Sequence, residues 1–311
     1  MPYFEPVILF FLLGVVAGVV RSDLKIPGVL YESLSIFLLL AIGLKGGVEL
    51  AHYRLLDVAL PGLAVVAVAT LIPLFAFPIL RRVGKLSSAD SGSIAAHYGS
   101  VSIVTFAVAT TYLNRLGEGS EGYLTVFVVL LEFPALVIGV LLARRGEQRT
   151  PWRKVLPEVF AGKSLVLLLG GLMIGWLVGP EGIAPLDRLF FDLFKGLLAI
   201  FLLEMGLVVA HRFGELRRAG WFLIAFAVLV PLASAGLGLI TGRMLGLSVG
   251  GTALLATLYA SASYIAAPAA MRIAVPQANP ALSIGAALGI TFPFNLTVGI
   301  PLYHRLAQVL H

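Results

Sequence analysis

The chain contains no cysteine, so it forms no disulfide and offers no thiolate ligand to a metal. Charged residues make up only 12% of its 311 residues, whereas soluble domains average about 25%. No basic residue precedes the first apolar stretch and no small-residue cleavage site follows it, so we interpret it as a retained helix. The sequence also lacks an HExxH motif and a Walker A motif, which argues against a zinc protease and an ATP-driven pump.

Long apolar runs dominate what is present, since 59% of the residues are hydrophobic. A helix needs about 20 apolar residues to cross a bilayer. By that measure the sequence predicts an all-α membrane protein with ten transmembrane helices, at residues 4–20, 29–50, 57–80, 88–113, 121–143, 164–179, 188–210, 218–242, 248–272 and 280–309. Pro268, Pro293 and Pro301 predict kinks in the last two spans.

The two halves of the chain repeat one another. The pattern Tyr-small-Ser-x-Ser occurs at 98–102 and again at 259–263, an offset of 161, and Phe133-Pro134 matches Phe292-Pro293 at an offset of 159. Each half holds five spans, and an odd number of spans forces the halves into opposite orientations. The sequence therefore predicts two inverted five-helix repeats, at 1–143 and 164–311, joined by a basic connector at 144–163.

Orientation follows from the distribution of Lys and Arg in the connections between spans. Fifteen of them lie on the side that includes the 144–163 connector, and five lie on the other side. We therefore expect a plasma-membrane (inner-membrane) protein with a cytoplasmic connector and both termini outside. The net charge of +6 resides in these connections and does not indicate nucleic-acid binding.

The two serine motifs predict interrupted helices, spans 4 and 9, that cross inside the membrane. Each downstream half-helix would present free N–H groups and a positive dipole end, which bind an anion without a basic side chain. Serine hydroxyls and freed carbonyls at the same breaks are suitable ligands for sodium, the only metal that we expect here. The alternative is that the serines only bond back to their own helices or allow close packing.

Several other residues are candidates for the same site. Glu132 lies in mid-span, where an ionisable group indicates cation binding or a tie to the crossing. Asn295 and Thr297 follow Pro293, and Asn295 is equally explained as a contact between helices. The candidate sodium ligands are Tyr98, Ser102, Glu132, Ser263 and Thr297.

Four segments resemble the sodium-dependent bicarbonate transporters of the SbtA type: 97–107, 263–272, 279–295 and 299–308. The resemblance implies sodium-coupled bicarbonate uptake by an elevator-like movement, without a cofactor and commonly as a homotrimer. It implies a core domain from spans 3–5 and 8–10 and a gate domain from spans 1–2 and 6–7. The substrate site that it implies, with Asn295 added as its neighbour, comprises Gly99, Ser100, Val101, Ser102, Ser261, Ala262, Ser263 and Asn295.

The connector at 144–163 is shorter than the insertion found in better-known members of that family. Those members bind a PII-like regulator on the cytoplasmic side, so the short connector leaves retention of this partner open. Another small carboxylate could be the cargo instead, as in bile-acid or auxin carriers. A third hypothesis, an intramembrane hydrolase with His97 activating Ser100, lacks an oxyanion-hole signature and leaves the duplication unexplained.

Overall fold

The computed structural model describes residues 6–144, 157, 161–218 and 220–311, and only the backbone of residues 133 and 212–218. Most of the predicted connector therefore lies outside the described residues. Within the described ranges every regular element is helical. The helices are α1 Pro6–Val19, α2 Gly28–Leu50, α3 Leu55–Ala69, α4 Leu71–Pro78, α5 Ser88–Gly99, α6 Ile103–Arg115, α7 Leu124–Ala143, α8 Lys163–Ile183, α9 Phe194–Arg218, α10 Gly220–Met244, α11 Val249–Ala260, α12 Ala266–Ala274 and α13 Pro280–Leu310.

Eight helical stretches of the described chain are long and apolar enough to cross a membrane. α1 and α11 are apolar but shorter. They coincide with the first predicted span and with the first half of the ninth, which is shortened because its helix ends at Ala260. The all-helical membrane architecture predicted from the sequence is confirmed at this level.

Three of the predicted spans depart from a single regular α-helix. α8 is longer than the predicted 164–179, since it continues past a kink at Gly179, where φ is +67° before Pro180. The third span is divided at Thr70 into α3 and α4. In α13, wide π-helical turns at Ala287–Thr291 and Asn295–Gly299 lie on both sides of Pro293. A proline has no backbone N–H to donate, and such turns accommodate the missing hydrogen bond.

Glycines allow two pairs of helices to pack with their backbones in contact. α2 lies along α8, and α1 lies along α9. A Cβ at Gly47 of α2 would overlap the carbonyl oxygen of Leu172 in α8, and a Cβ at Gly206 of α9 would overlap that of Phe11 in α1. Small residues permit such close approach in membranes, where van der Waals packing drives association. Since α2 also contacts α9, the two pairs form one framework of α1, α2, α8 and α9.

The remaining helices pack around the interrupted spans. α5 lies against α4 and α7, while α11 lies against α10 and the C-terminal part of α13. Both upstream half-helices are almost fully buried along their lengths. The polar breaks at the ends of α5 and α11 are thus enclosed by protein, which is the condition under which irregular backbone is tolerated at membrane depth.

We expect Gly47→Ala to destabilise the protein by about 1–3 kcal/mol, because the added methyl group overpacks the α2–α8 contact. Gly170→Ala in α8 is the matched control, since a Cβ there meets nothing within 4 Å and alanine favours helix over glycine. Thermal unfolding of the purified protein in detergent measures both effects. Equal unfolding temperatures for the two variants would contradict the close backbone packing.

Candidate functional site at two helix breaks

Both serine motifs interrupt their helices, as the sequence predicts. α5 ends at Gly99 and α6 begins at Ile103, and the intervening Ser100 and Ser102 are extended, with ψ of 163° and 110°. α11 ends at Ala260 and α12 begins at Ala266. The residues of the two breaks are buried, with at most 4% of their surface exposed for Ser100, Val101, Ser102, Ser261, Ala262 and Ser263.

The two breaks are hydrogen-bonded to each other. The backbone N–H of Ser102 donates to the hydroxyl oxygen of Ser261 at 2.8 Å. The backbone N–H of Ser263 donates to the carbonyl oxygen of His97 at 2.8 Å. Each break therefore satisfies a backbone donor of the other, and the chain segments 97–102 and 261–263 lie side by side in the protein interior.

Serine hydroxyls cap both downstream half-helices. The Ser102 hydroxyl oxygen accepts the N–H of Thr105 at 3.2 Å, and that of Ser263 accepts the N–H of Ala267 at 3.2 Å. The first N–H groups of a helix have no partner within it. In the described part of the chain, the N–H groups of Ile103 and Val104 have no acceptor. Two positive helix ends therefore meet at the crossing, an arrangement that favours an anion.

Glu132 of α7 brings a carboxylate to the same place. It is 2% exposed, and its Oε2 atom has no hydrogen-bond partner among the described residues. The hydroxyl of Ser100 donates to the backbone carbonyl of Glu132 at 3.4 Å. A cavity of about 10 Å³ separates the carboxylate from the breaks and is lined by Val101, Ser102, Ile103, Glu132, Ser263, Tyr264 and Ile265. An unpaired carboxylate in such a place needs a cation or a proton.

Gly99 and Asn295 hold the breaks in position. A Cβ at Gly99 would lie 2.7 Å from Pro73 and 2.8 Å from Ala135, so only glycine allows α5 to approach these helices. The Asn295 amide donates to the carbonyl oxygen of Ala260, the last residue of α11, at 2.9 Å. The Tyr303 hydroxyl donates to the Asn295 side-chain oxygen at 2.9 Å. The structure therefore uses Asn295 to fix the end of α11.

Tyr98 and Thr297, predicted as sodium ligands, find their hydrogen-bond partners outside the two breaks. The Tyr98 hydroxyl bonds to Thr291 at 2.7 Å, and the Thr291 hydroxyl donates to the carbonyl oxygen of Ala227. Thr297 is exposed, and its hydroxyl donates to the carbonyl oxygen of Pro293 in its own helix at 2.8 Å. Neither hydroxyl bonds to a residue of the two breaks, so the assignment of Tyr98 and Thr297 as sodium ligands stays a prediction.

His97 makes no hydrogen bond to Ser100. Its Nδ1 atom bonds to the carbonyl oxygen of Ser93 at 2.7 Å, one turn back in α5. The Ser100 hydroxyl donates to the backbone carbonyl oxygen of Glu132 instead. The geometry thus gives no support to the hydrolase hypothesis.

Sequence reasoning missed Ile103, Tyr264 and Ile265 as lining residues of the crossing. Their only signal was position, since each follows a serine motif within a few residues. It also missed Tyr303, whose hydroxyl supports Asn295 from two turns away in α13. No pattern in the sequence marks a tyrosine for that contact.

Two larger cavities lie near the crossing. One of about 220 Å³ includes Glu132 and Ile265 and extends to Gly162 and Lys163, on the predicted cytoplasmic side. The other, of about 340 Å³, lies along α6 from Phe106 to Asn114 and reaches the loop before α7, on the opposite side. The first cavity shares Glu132 and Ile265 with the crossing, and the second comes within about one helical turn of Ser102 at Phe106.

A bundle of membrane-spanning helices with a pair of enclosed, interrupted helices at its centre is typical of secondary transporters. The family model of the Na⁺-dependent bicarbonate transporter superfamily matches residues 6–308. The chain belongs to this superfamily, and the resemblance seen in its sequence is confirmed. It is accordingly a multi-pass membrane protein of a transporter family and not of an enzyme family. No curated protein sequence matches the chain.

We expect Asn295→Leu to lower the free energy of unfolding by about 1–3 kcal/mol, because it leaves the buried Ala260 carbonyl without its donor. It should also reduce uptake of the transported solute, since the end of α11 loses its support. Thr297→Val, two residues further along, is the control and should alter neither property. If both variants behave like the unmodified protein in thermal unfolding and uptake, Asn295 does not position the break.

Proposed function

We propose that the protein couples the inward movement of sodium to the uptake of bicarbonate. The observation that carries this proposal is the juxtaposition of two capped helix N-termini with one unpaired carboxylate, Glu132. The helix ends supply partial positive charge for an anion, and the carboxylate supplies negative charge for a cation. Membership of the superfamily supports sodium and bicarbonate as the two ions.

Bicarbonate is proposed to bind at the breaks, against the N–H groups that follow Ser102 and Ser263. Its oxygens match the donors that each helix end presents, as anions do at helix N-termini generally. The residues proposed to surround it are those of the two breaks, with Gly99 permitting close packing and Asn295 holding α11 in place. The competing cargo, another small carboxylate, would use the same donors, but the superfamily favours bicarbonate.

Sodium is proposed to bind between Glu132 and the hydroxyl oxygens of Ser102 and Ser263. These three residues line one small cavity, and oxygen atoms are the ligands preferred by hard cations. The carboxylate, the sodium ion and the bicarbonate would lie next to one another, so each ion lowers the cost of dehydrating the other. That dependence is a physical basis for coupled transport.

We also propose that the chain forms two inverted repeats with a core domain and a gate domain. This is supported by the capping serines, Ser87 of α5 and Ser248 of α11, which are separated by the same 161 residues as Tyr98 and Tyr259. It is further supported by the α1–α9 and α2–α8 pairs, whose glycines allow the close backbone packing expected of a rigid gate domain. An elevator-like shift of the core along this gate would expose the crossing alternately to the two sides.

Further features are proposals of the same kind. We propose that the protein lies in the plasma membrane with both termini outside, on the basis of its Lys and Arg distribution. A homotrimer is proposed by analogy with the family that it resembles, and the exposed apolar side chains of α8, such as Leu177 at 72%, are suited to lipid or subunit contact. A PII-like regulator would meet the connector, which lies mostly outside the described residues.

Uptake of radiolabelled bicarbonate into proteoliposomes tests the central proposal. We expect an inward sodium gradient to drive accumulation and an equal potassium gradient to leave uptake at the level of protein-free vesicles. A panel of unlabelled small carboxylates should compete poorly with bicarbonate. Equal uptake with either cation would refute the coupling, and strong competition by an organic carboxylate would favour the alternative cargo.

Glu132→Gln should raise the sodium concentration for half-maximal uptake about tenfold or more, because a charged ligand contributes about 1.5–3 kcal/mol. The substitution preserves the side-chain shape, so the protein should remain folded. Glu204→Gln is the matched control, since that glutamate lies in α9, in another span, and does not line the small cavity at the breaks. An unchanged sodium dependence in Glu132→Gln would remove this carboxylate from the proposed site.

A further inference from the structure

The cavity of about 340 Å³ beside α6 contains charged side chains that the proposed transport site does not use. Its walls come from α2, from α6, from the start of α9 and from the loop between α6 and α7. Four charged residues line it: Lys45 and Glu49 of α2, Lys195 of α9 and Glu121 of the loop. Lys45 and Lys195 are exposed to the cavity solvent.

The four charges are not equally free. Glu121 accepts the backbone N–H of Ser248 at 2.7 Å and the Ser248 hydroxyl at 3.2 Å, at the N-terminus of α11. Its charge is therefore already used to cap that helix. Neither Lys45 nor Lys195 forms an ion pair with any residue in the described part of the chain. Glu49, one turn from Lys45, is the remaining carboxylate of the cavity.

The inner end of the cavity is close to the crossing. α6 contributes Phe106, Ala107, Thr110, Thr111 and Asn114, which form one face of the helix. Phe106 lies one turn beyond Ser102, a rise of about 6 Å along the axis. The hydroxyls of Thr110 and Thr111 donate to carbonyl oxygens of their own helix. The two lysines are consequently the strongest free donors in this space.

We propose that this cavity is an outer anion-binding vestibule, in which Lys45 and Lys195 collect a small oxyanion before it reaches the crossing. The inference rests on the proposed function and assigns bicarbonate as the anion. Cavities lined by charge raise the local concentration of an oppositely charged ligand. A lysine ammonium group is a strongly hydrated point charge, which suits brief binding and onward release. The negative charge of Glu49 repels the anion and so shortens the time for which it stays bound to the lysines.

Charge-neutralising variants test this assignment through the bicarbonate KM. Lys45→Gln and Lys195→Gln should each raise the KM about threefold, and the double variant should raise it about tenfold, at low ionic strength. The maximal rate and the sodium dependence should stay as in the unmodified protein. Glu49→Gln should lower the KM, because it removes the opposing charge. Raising the ionic strength with an impermeant salt should shrink every effect, since the Debye length falls to about 10 Å at 0.1 M.

Lys25→Gln is the matched control. Lys25 is exposed in the connection between α1 and α2, on the opposite side by the Lys and Arg distribution. It makes the same change in net charge and should leave the KM unaltered. If Lys25→Gln raises the KM as much as Lys195→Gln, the effect comes from net charge and the vestibule is refuted.

The absence of cysteine permits a second test with charge of either sign at one position. Lys195→Cys should show the raised KM of Lys195→Gln. Modification with a positively charged aminoethyl methanethiosulfonate should restore the KM, whereas the negatively charged sulfonatoethyl reagent should raise it further. Equal effects of the two reagents would indicate a steric cause and overturn the proposal.

These results separate the two proposals. If the unmodified protein takes up no bicarbonate with sodium, the proposed function fails. If it does so, and the bicarbonate KM is unchanged by the substitutions at positions 45, 49 and 195, only the vestibule proposal fails.

Discussion

The structure depends on one constraint, which is that backbone N–H and C=O groups at membrane depth need partners within the protein. α5 and α11 end in the protein interior, and each region supplies a hydrogen-bond acceptor for a backbone N–H group of the other. Ser261 accepts a backbone donor of the first break, and the His97 carbonyl accepts one from the second. A single interrupted helix would leave these groups buried and unpaired, so the crossing requires both breaks together.

Charged side chains are scarce at the crossing. Helix ends and hydroxyls provide the polarity, and the residues that line the small cavity include Glu132 but no lysine or arginine. A fixed basic side chain would bind an anion tightly and disfavour a neighbouring cation. Partial charges at two helix ends attract the anion while leaving room for the sodium ion on which its uptake depends in our proposal.

The framework around the crossing has a different physical character. The α1–α9 and α2–α8 pairs pack through glycines and backbone atoms, and they contain the two lysines of the outer cavity. Close packing of this kind resists internal rearrangement, which suits the stationary gate of our proposal. In the vestibule proposal, the gate therefore carries the full positive charges, while the crossing carries only partial ones.

The sequence by itself determined the apolar spans, the positions of both helix breaks and the family, because hydrophobic runs and duplicated short motifs are local signals. It also singled out Glu132, since an ionisable residue in mid-span is conspicuous. Only the tertiary structure decided that Tyr98 bonds to Thr291 and that Thr297 faces outwards. It also decided that Asn295 holds the end of α11. These roles depend on how segments far apart in the chain rotate and pack against each other, as the contact between Ser102 and Ser261 illustrates. Local pattern contains no information about that rotation.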